Sequence, residues 1–99
     1  MRIKVQSIHF DADRKLLGFI QEKVDKLILF YEDIIDGEVF LRLDKSSNAE
    51  NKITEIKLNA PGKILFAKEQ CRTFEEATDT AVEALRKQIT KHKEKLRGV

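Results

Sequence analysis

Apolar residues in this chain recur with two different periods, and the order of those periods leaves few folds open. Ile3 and Val5 alternate with Arg2, Lys4 and Gln6, so Arg2 to Phe10 reads as a first strand. Leu17, Ile20, Val24, Leu27 and Ile28 then recur at helical spacing behind Asp11 or Asp13 as a cap, which predicts a helix ending near Phe30 or Tyr31. Gly18 within it costs about 1 kcal/mol of helix propensity relative to Ala. Tyr31 to Gly37 reads as a connection ending in a turn residue. Three more alternating segments follow: Val39, Leu41 and Leu43; Ile56 and Leu58; and Ile64 to Cys71, with Leu65 and Ala67 on one face. Polar Lys45 to Asn51 separates the first two as a hairpin loop. Ala60-Pro61-Gly62 separates the last two as a tight turn, because Pro presets φ and Gly accepts a positive φ. Thr73-Phe-Glu-Glu76 is a capping box that opens a second helix, from Phe74 to near Arg97.

The resulting order is β-α-β-β-β-α. An α+β fold, with two helices packed on one face of a four-stranded sheet, would bury every apolar stripe. At 99 residues and 41% hydrophobic content the chain is expected to form one domain over residues 1–99, with a core of Leu, Ile, Val and Phe. No apolar run approaches the roughly 18 residues needed to span a membrane, and Met1 to Phe10 lacks the continuous apolar stretch of a secretory signal. A cytoplasmic protein is therefore the default expectation. The single Cys71 fits, because it cannot form an intramolecular disulfide.

Charge is unevenly distributed. Residues 1–50 hold eight Lys/Arg against ten Asp/Glu, residues 51–99 hold eleven against seven, and from Ala84 onward six cations face only Glu94. On a helical wheel Ala77, Ala81, Leu85, Ile89, His92 and Leu96 form the core stripe of the second helix. Lys87, Lys91 and Lys95 line one shoulder; Arg86, Lys93 and Arg97 line the other. The helix dipole accounts for one or two such cations, but like charges at i, i+4 repel, and a polyanion would relieve that repulsion. Charge alone leaves a solvated face and a nucleic-acid surface equally open. An anionic membrane fits less well, since the apolar face is Ala-rich and offers no Trp or Phe. Lys23 and Lys26 could extend the basic surface onto the first helix, or merely cover core edges with their stems. Phe40 and Phe66 fall on the other face of the sheet, among Arg2, Lys4, Arg42, Lys57 and Lys68, where they could stack single-stranded bases or pack against another chain.

Catalytic signals are sparse. His9 and His92 are the only histidines, with His92 on the core stripe in a packing role; no Cys/His cluster has metal-ligand spacing and no Gly-rich loop precedes a helix. The sequence predicts neither enzyme activity nor a cofactor.

The run Lys87-Gln-Ile-Thr-Lys-His-Lys93 resembles the Arg-Gln-Leu-Arg-Lys-His-Lys run in the second helix of ribosome hibernation promoting factors, also called ribosome-associated inhibitors or sigma-factor modulation proteins. Asn59-Ala-Pro-Gly62, Ala67 and Lys23-Val-Asp-Lys-Leu27 match at family spacing, so the resemblance covers essentially the whole chain. It implies a fold similar to double-stranded RNA-binding domains and a non-enzymatic role. Such proteins occupy the small ribosomal subunit at the mRNA channel and the A and P sites for tRNA, contact 16S rRNA, and silence idle ribosomes. It implies no small-molecule substrate. Carried over by position, Lys23, Lys26, Lys87, Lys91, Lys93 and Lys95 fall where the family has rRNA-facing cations. Arg86 joins them on charge, although relatives often carry an acid there. Thr73 and Glu75 depart from the usual Asp and Tyr, both near the cap. The expected type is the short one, without the dimerisation domain of long members or an acidic tail. The rivals are a protein–protein adaptor that modulates a sigma factor and a single-stranded RNA binder using the sheet face.

Overall fold

The computed structural model describes residues 3–8, 10–45 and 49–96, with the side chains of Lys95 and Leu96 outside that set. Its elements are β1 (Ile3–Ser7), α1 (Arg14–Phe30), β2 (Asp36–Leu43), β3 (Lys52–Ala60), β4 (Lys63–Cys71) and α2 (Phe74–Leu96). The β-α-β-β-β-α order and the four-stranded sheet agree with the sequence expectation. His9 and Arg97 lie outside the described residues.

Strands are arranged in chain order, β1-β2-β3-β4. β1 runs parallel to β2, and the other pairs are antiparallel. A parallel pair cannot be closed by a tight turn, so the chain must cross over between β1 and β2, and α1 is that crossover. Asp13 caps it: the Leu16 amide donates to Asp13 Oδ1 at 2.8 Å. At α2 the Thr73 half of the capping box is in place, with the Glu76 amide donating to Thr73 Oγ1 at 3.0 Å. Ala60 pairs with Lys63 across Pro61-Gly62, and Gly62 has φ of +71°, which fits a type II turn with Pro in its first central position.

Inward residues of every element meet in one core. α1 contributes Ile20, Val24 and Leu27; the sheet contributes Val39, Leu41, Ile56, Leu58 and Leu65; α2 contributes Leu85 and Ile89. Each such side chain removed from water is worth about 1.5–3 kcal/mol. Ala77 and Ala81 let α2 approach β3 and β4 closely, and a polar contact beneath it joins two fully buried hydroxyls, Thr54 and Thr78, at 3.4 Å. Gln88 reaches over the edge of the sheet and donates to the Phe66 carbonyl at 2.7 Å.

Several local expectations change. Gly37 is not a turn residue but sits inside β2, paired with Ile3 on one side and Leu58 on the other. A Cβ there would lie 2.6 Å from Leu58 Cδ2 and 2.9 Å from Ile3 Cδ1, so the position is glycine because two core side chains close over it. Phe10 has left the first strand and stacks on Phe74, with ring centroids 5.2 Å apart. Leu43, in phase with Val39 and Leu41, is 44% exposed because β2 extends past the helices.

Two predictions follow from this packing. Gly37→Ala should destabilise the fold by about 1–3 kcal/mol through overpacking. Gly18→Ala has open space around it and should stabilise by about 0.5–1 kcal/mol; urea unfolding of both variants measures the opposite signs. Tyr31 is buried, and burial together with the neighbouring Asp33 carboxylate pushes its phenol above its ordinary value near 10. Folding thus holds the Tyr31 proton more tightly than the unfolded chain does, so this contribution is complete below pH 10 and lost as pH rises past it. Thermal melts should fall on that alkaline side, and less steeply in Tyr31→Phe.

Candidate nucleic-acid interface

α1 and α2 lie side by side and run in the same direction, as their contacts show in order: Lys23 pairs with Asp79 early in α2, whereas Phe30 at the end of α1 meets Arg86 and Lys93. Between them runs a shallow groove of about 390 Å³ with Val82 on its floor. Lys23 and Lys26 enter from α1, Arg86 from α2, so three cations remote in sequence converge on one surface. Asp79 and Glu83 line it as well.

The cations differ in how free they are. Lys23 Nζ lies 3.3 Å from Asp79 Oδ1 and 5.4 Å from the Phe19 ring centre. Lys26 Nζ is 3.6 Å from Glu22 Oε1, one turn back. Exposed pairs of this kind contribute about 0–1 kcal/mol, so a phosphate can displace either carboxylate at small cost. The Arg86 guanidinium stands 5.3 Å from the Phe30 ring centre and is held there while its donors stay exposed. Lys87 and Lys91 are exposed one turn apart on the opposite shoulder of α2, beside the Gln88 that bonds the edge of β4. Lys95 continues that row along the backbone, and its side chain lies outside the described residues.

Lys93 is a different kind of residue. Half-buried, it donates to the Phe30 carbonyl at 3.1 Å and stands 4.7 and 5.5 Å from the Phe30 and Tyr31 ring centres. Phe30 ends α1, where carbonyls lack helical partners and the dipole is negative. The ammonium therefore caps one helix from the other. His92 sits beside it, edge-on to Tyr31 at 6.0 Å.

The sheet's outer face is less suited to polyanions than its cations alone suggest. Lys4, Glu38, Lys57 and Phe66 share one cross-strand row, and Gln6, Phe40, Glu55 and Lys68 the next. Carboxylates are thus interleaved with the lysines. Arg42 pairs with Glu55 and lies 5.9 Å from the Phe40 ring centre, covering part of one stacking platform. Phe66 remains 47% exposed. Strand alternation in the sequence already places Glu38 and Glu55 on this face, but weighing the face by its cations and aromatics leaves their charge out. The same reading misses Phe30 and Asp79, whose roles depend on contacts between elements.

Cys71 is partly buried; burial first, then the Glu76 carboxylate, raises its thiol above the ordinary range, so it stays protonated at neutral pH. Among the described residues no group of acids, histidines and cysteines could hold a metal ion, and no helix is long and apolar enough to cross a membrane.

Comparison with known proteins bears on this arrangement. A "Ribosome hibernation promotion factor" of Deinococcus radiodurans is 32% identical over 76 residues, covering 76% of this chain but 40% of the longer relative. Among solved structures, a "ribosomal subunit interface protein" from Coxiella burnetii superposes with a TM-score of 0.82 at 18% identity, covering 94% of this chain and 98% of the other. The N-terminal domain of Thermus thermophilus Protein Y superposes with a TM-score of 0.77 at 20% identity, covering 93% and 99%. These two likenesses establish the shared fold. The family model described as "Sigma 54 modulation protein / S30EA ribosomal protein" matches residues 3–97, a span that takes in every element described above, and the chain belongs to that family.

Proposed function

We propose that this chain is a ribosome hibernation factor that docks its helical face on rRNA of the small subunit, across the mRNA channel and the A and P tRNA sites, and holds idle ribosomes inactive. The observation that carries the reading is the convergence of Lys23, Lys26 and Arg86 across the α1–α2 groove, with Lys87 and Lys91 on the adjoining shoulder. The printed name of the Deinococcus relative points the same way. No reaction is part of this role. The chain acts by occupying space, and its affinity comes from phosphates replacing the weak partners of exposed cations. The glutamates interleaved on the sheet face make that face the poorer RNA surface.

Cosedimentation with purified small subunits over a range of salt tests this. Replacing Lys87, Lys91 and Lys95 together by Gln should weaken binding and flatten the log-affinity against log-salt slope by about two to three units, if each touches a phosphate. An unchanged slope would mean that the row is only solvated. Lys91→Glu should weaken binding clearly, whereas Phe66→Ser should leave it near wild type; the reverse pattern would move the RNA site to the sheet. Translation of a reporter should fall on adding the wild-type chain and recover with the triple variant.

Lys93 separates the fold from the site. Lys93→Met should lower stability by about 1 kcal/mol in urea unfolding, because the Phe30 carbonyl loses its donor. Lys87→Gln should leave stability unchanged.

A further inference from the structure

α1 has a second flank. On the side away from α2, Ile28 and Leu29, with Ile3 of β1 and with Ile34 and Ile35 of the α1–β2 connection, enclose an apolar pocket of about 520 Å³. Ile3 and Ile34 form its buried floor. Leu29 is 76% exposed and Ile35 49% exposed. Two carboxylates, Asp25 and Asp36, complete the lining. Asp25 accepts a hydrogen bond from the Gln21 amide, and Asp36 one from the Asn59 amide. Among the described residues no cation reaches either. Among the same residues no Lys or Arg lines the pocket, so its only charges there are these two carboxylates.

We infer that this pocket is a docking site for a basic protein segment, in which an apolar side chain enters between Leu29 and Ile35 while flanking Lys or Arg side chains meet Asp25 and Asp36. The commitment to a cationic peptide rests on charge. An RNA strand would be repelled by the acidic rim, and an acidic or neutral segment would leave both carboxylates with only amide partners. The volume suits one or two side chains, within the usual range of about 300–1,000 Å³ for ligand pockets. The site lies on the opposite flank of α1 from Lys23 and Lys26, so it stays open when the α1–α2 groove is occupied, and it does not depend on the RNA reading. The surface thus provides two docking faces of opposite sign on one helix.

Titration of the isotope-labelled full chain, followed by amide chemical shifts, tests the inference. The probes are the capped peptide Lys-Leu-Lys-Ile-Lys, its counterpart with Glu in place of Lys, and a short RNA hairpin. The basic peptide should saturate and shift the amides of Ile28, Leu29, Ile35 and Asp36. Leu29→Ser, on an exposed position, should abolish those shifts while leaving the thermal melt unchanged. Asp25→Asn should weaken the basic peptide about fivefold, the loss of one near-surface charge contact. Absence of these shifts, equal binding of the Glu peptide, or the same amides moving with the RNA hairpin would each overturn the inference. So would sedimentation equilibrium showing a dimer that Leu29→Ser dissociates, since the pocket would then be occupied by a second copy of the chain.

Discussion

Parallel pairing of β1 with β2 obliges the chain to cross the sheet between them, and the direction of α1 follows from that obligation. Once β3 and β4 are added as antiparallel neighbours, α2 leaves β4 on the same side and in the same sense as α1. The groove, the seating of Arg86 on Phe30 and the link from Lys93 to the Phe30 carbonyl all require helices that run side by side in one direction. Had they run antiparallel, Lys93 would lie at the opposite end of the layer from the Phe30 carbonyl.

The same geometry organises the electrostatics. Two helices in register bring two negative dipole ends to the same edge of the molecule, and the last turns of α2 supply the compensating cations. Lys93 carries this role for α1. Arg86 rests on the same Phe30 ring, whereas Lys87 and Lys91 are exposed and have no aromatic or carbonyl partner like that of Lys93. A basic helix that reads as uniform in sequence is thus divided: Lys93 links the two helices, and Lys87 and Lys91 make no such link.

The element order was legible because period two and period 3.6 are hard to confuse over segments this long. Gly37 was misread because glycine marks both a turn and a close approach, and only the register against Ile3 and Leu58 distinguishes them. Leu43 kept the strand alternation yet is exposed, since periodicity identifies a face and not how far the covering layer reaches. The candidate cations were legible individually from charge. Their partners were not, because Asp79 and Phe30 lie more than fifty residues from the groups they hold. On the sheet, alternation alone places Glu38 and Glu55, and counting only one sign of charge leaves their effect out.

β4 is the outer strand of the sheet, and its solvent-facing ridge carries Ile64 and Phe66, the combination of free backbone and apolar side chains that invites strands from other molecules to add on. The Gln88 amide fills the Phe66 carbonyl near the middle of that edge, with Lys63 and Lys68 to either side. An incoming strand would have to displace the Gln88 donor and bring its own backbone between two ammonium groups. The contact that seals this edge is made within the monomer, so the edge is guarded whether or not a partner is present.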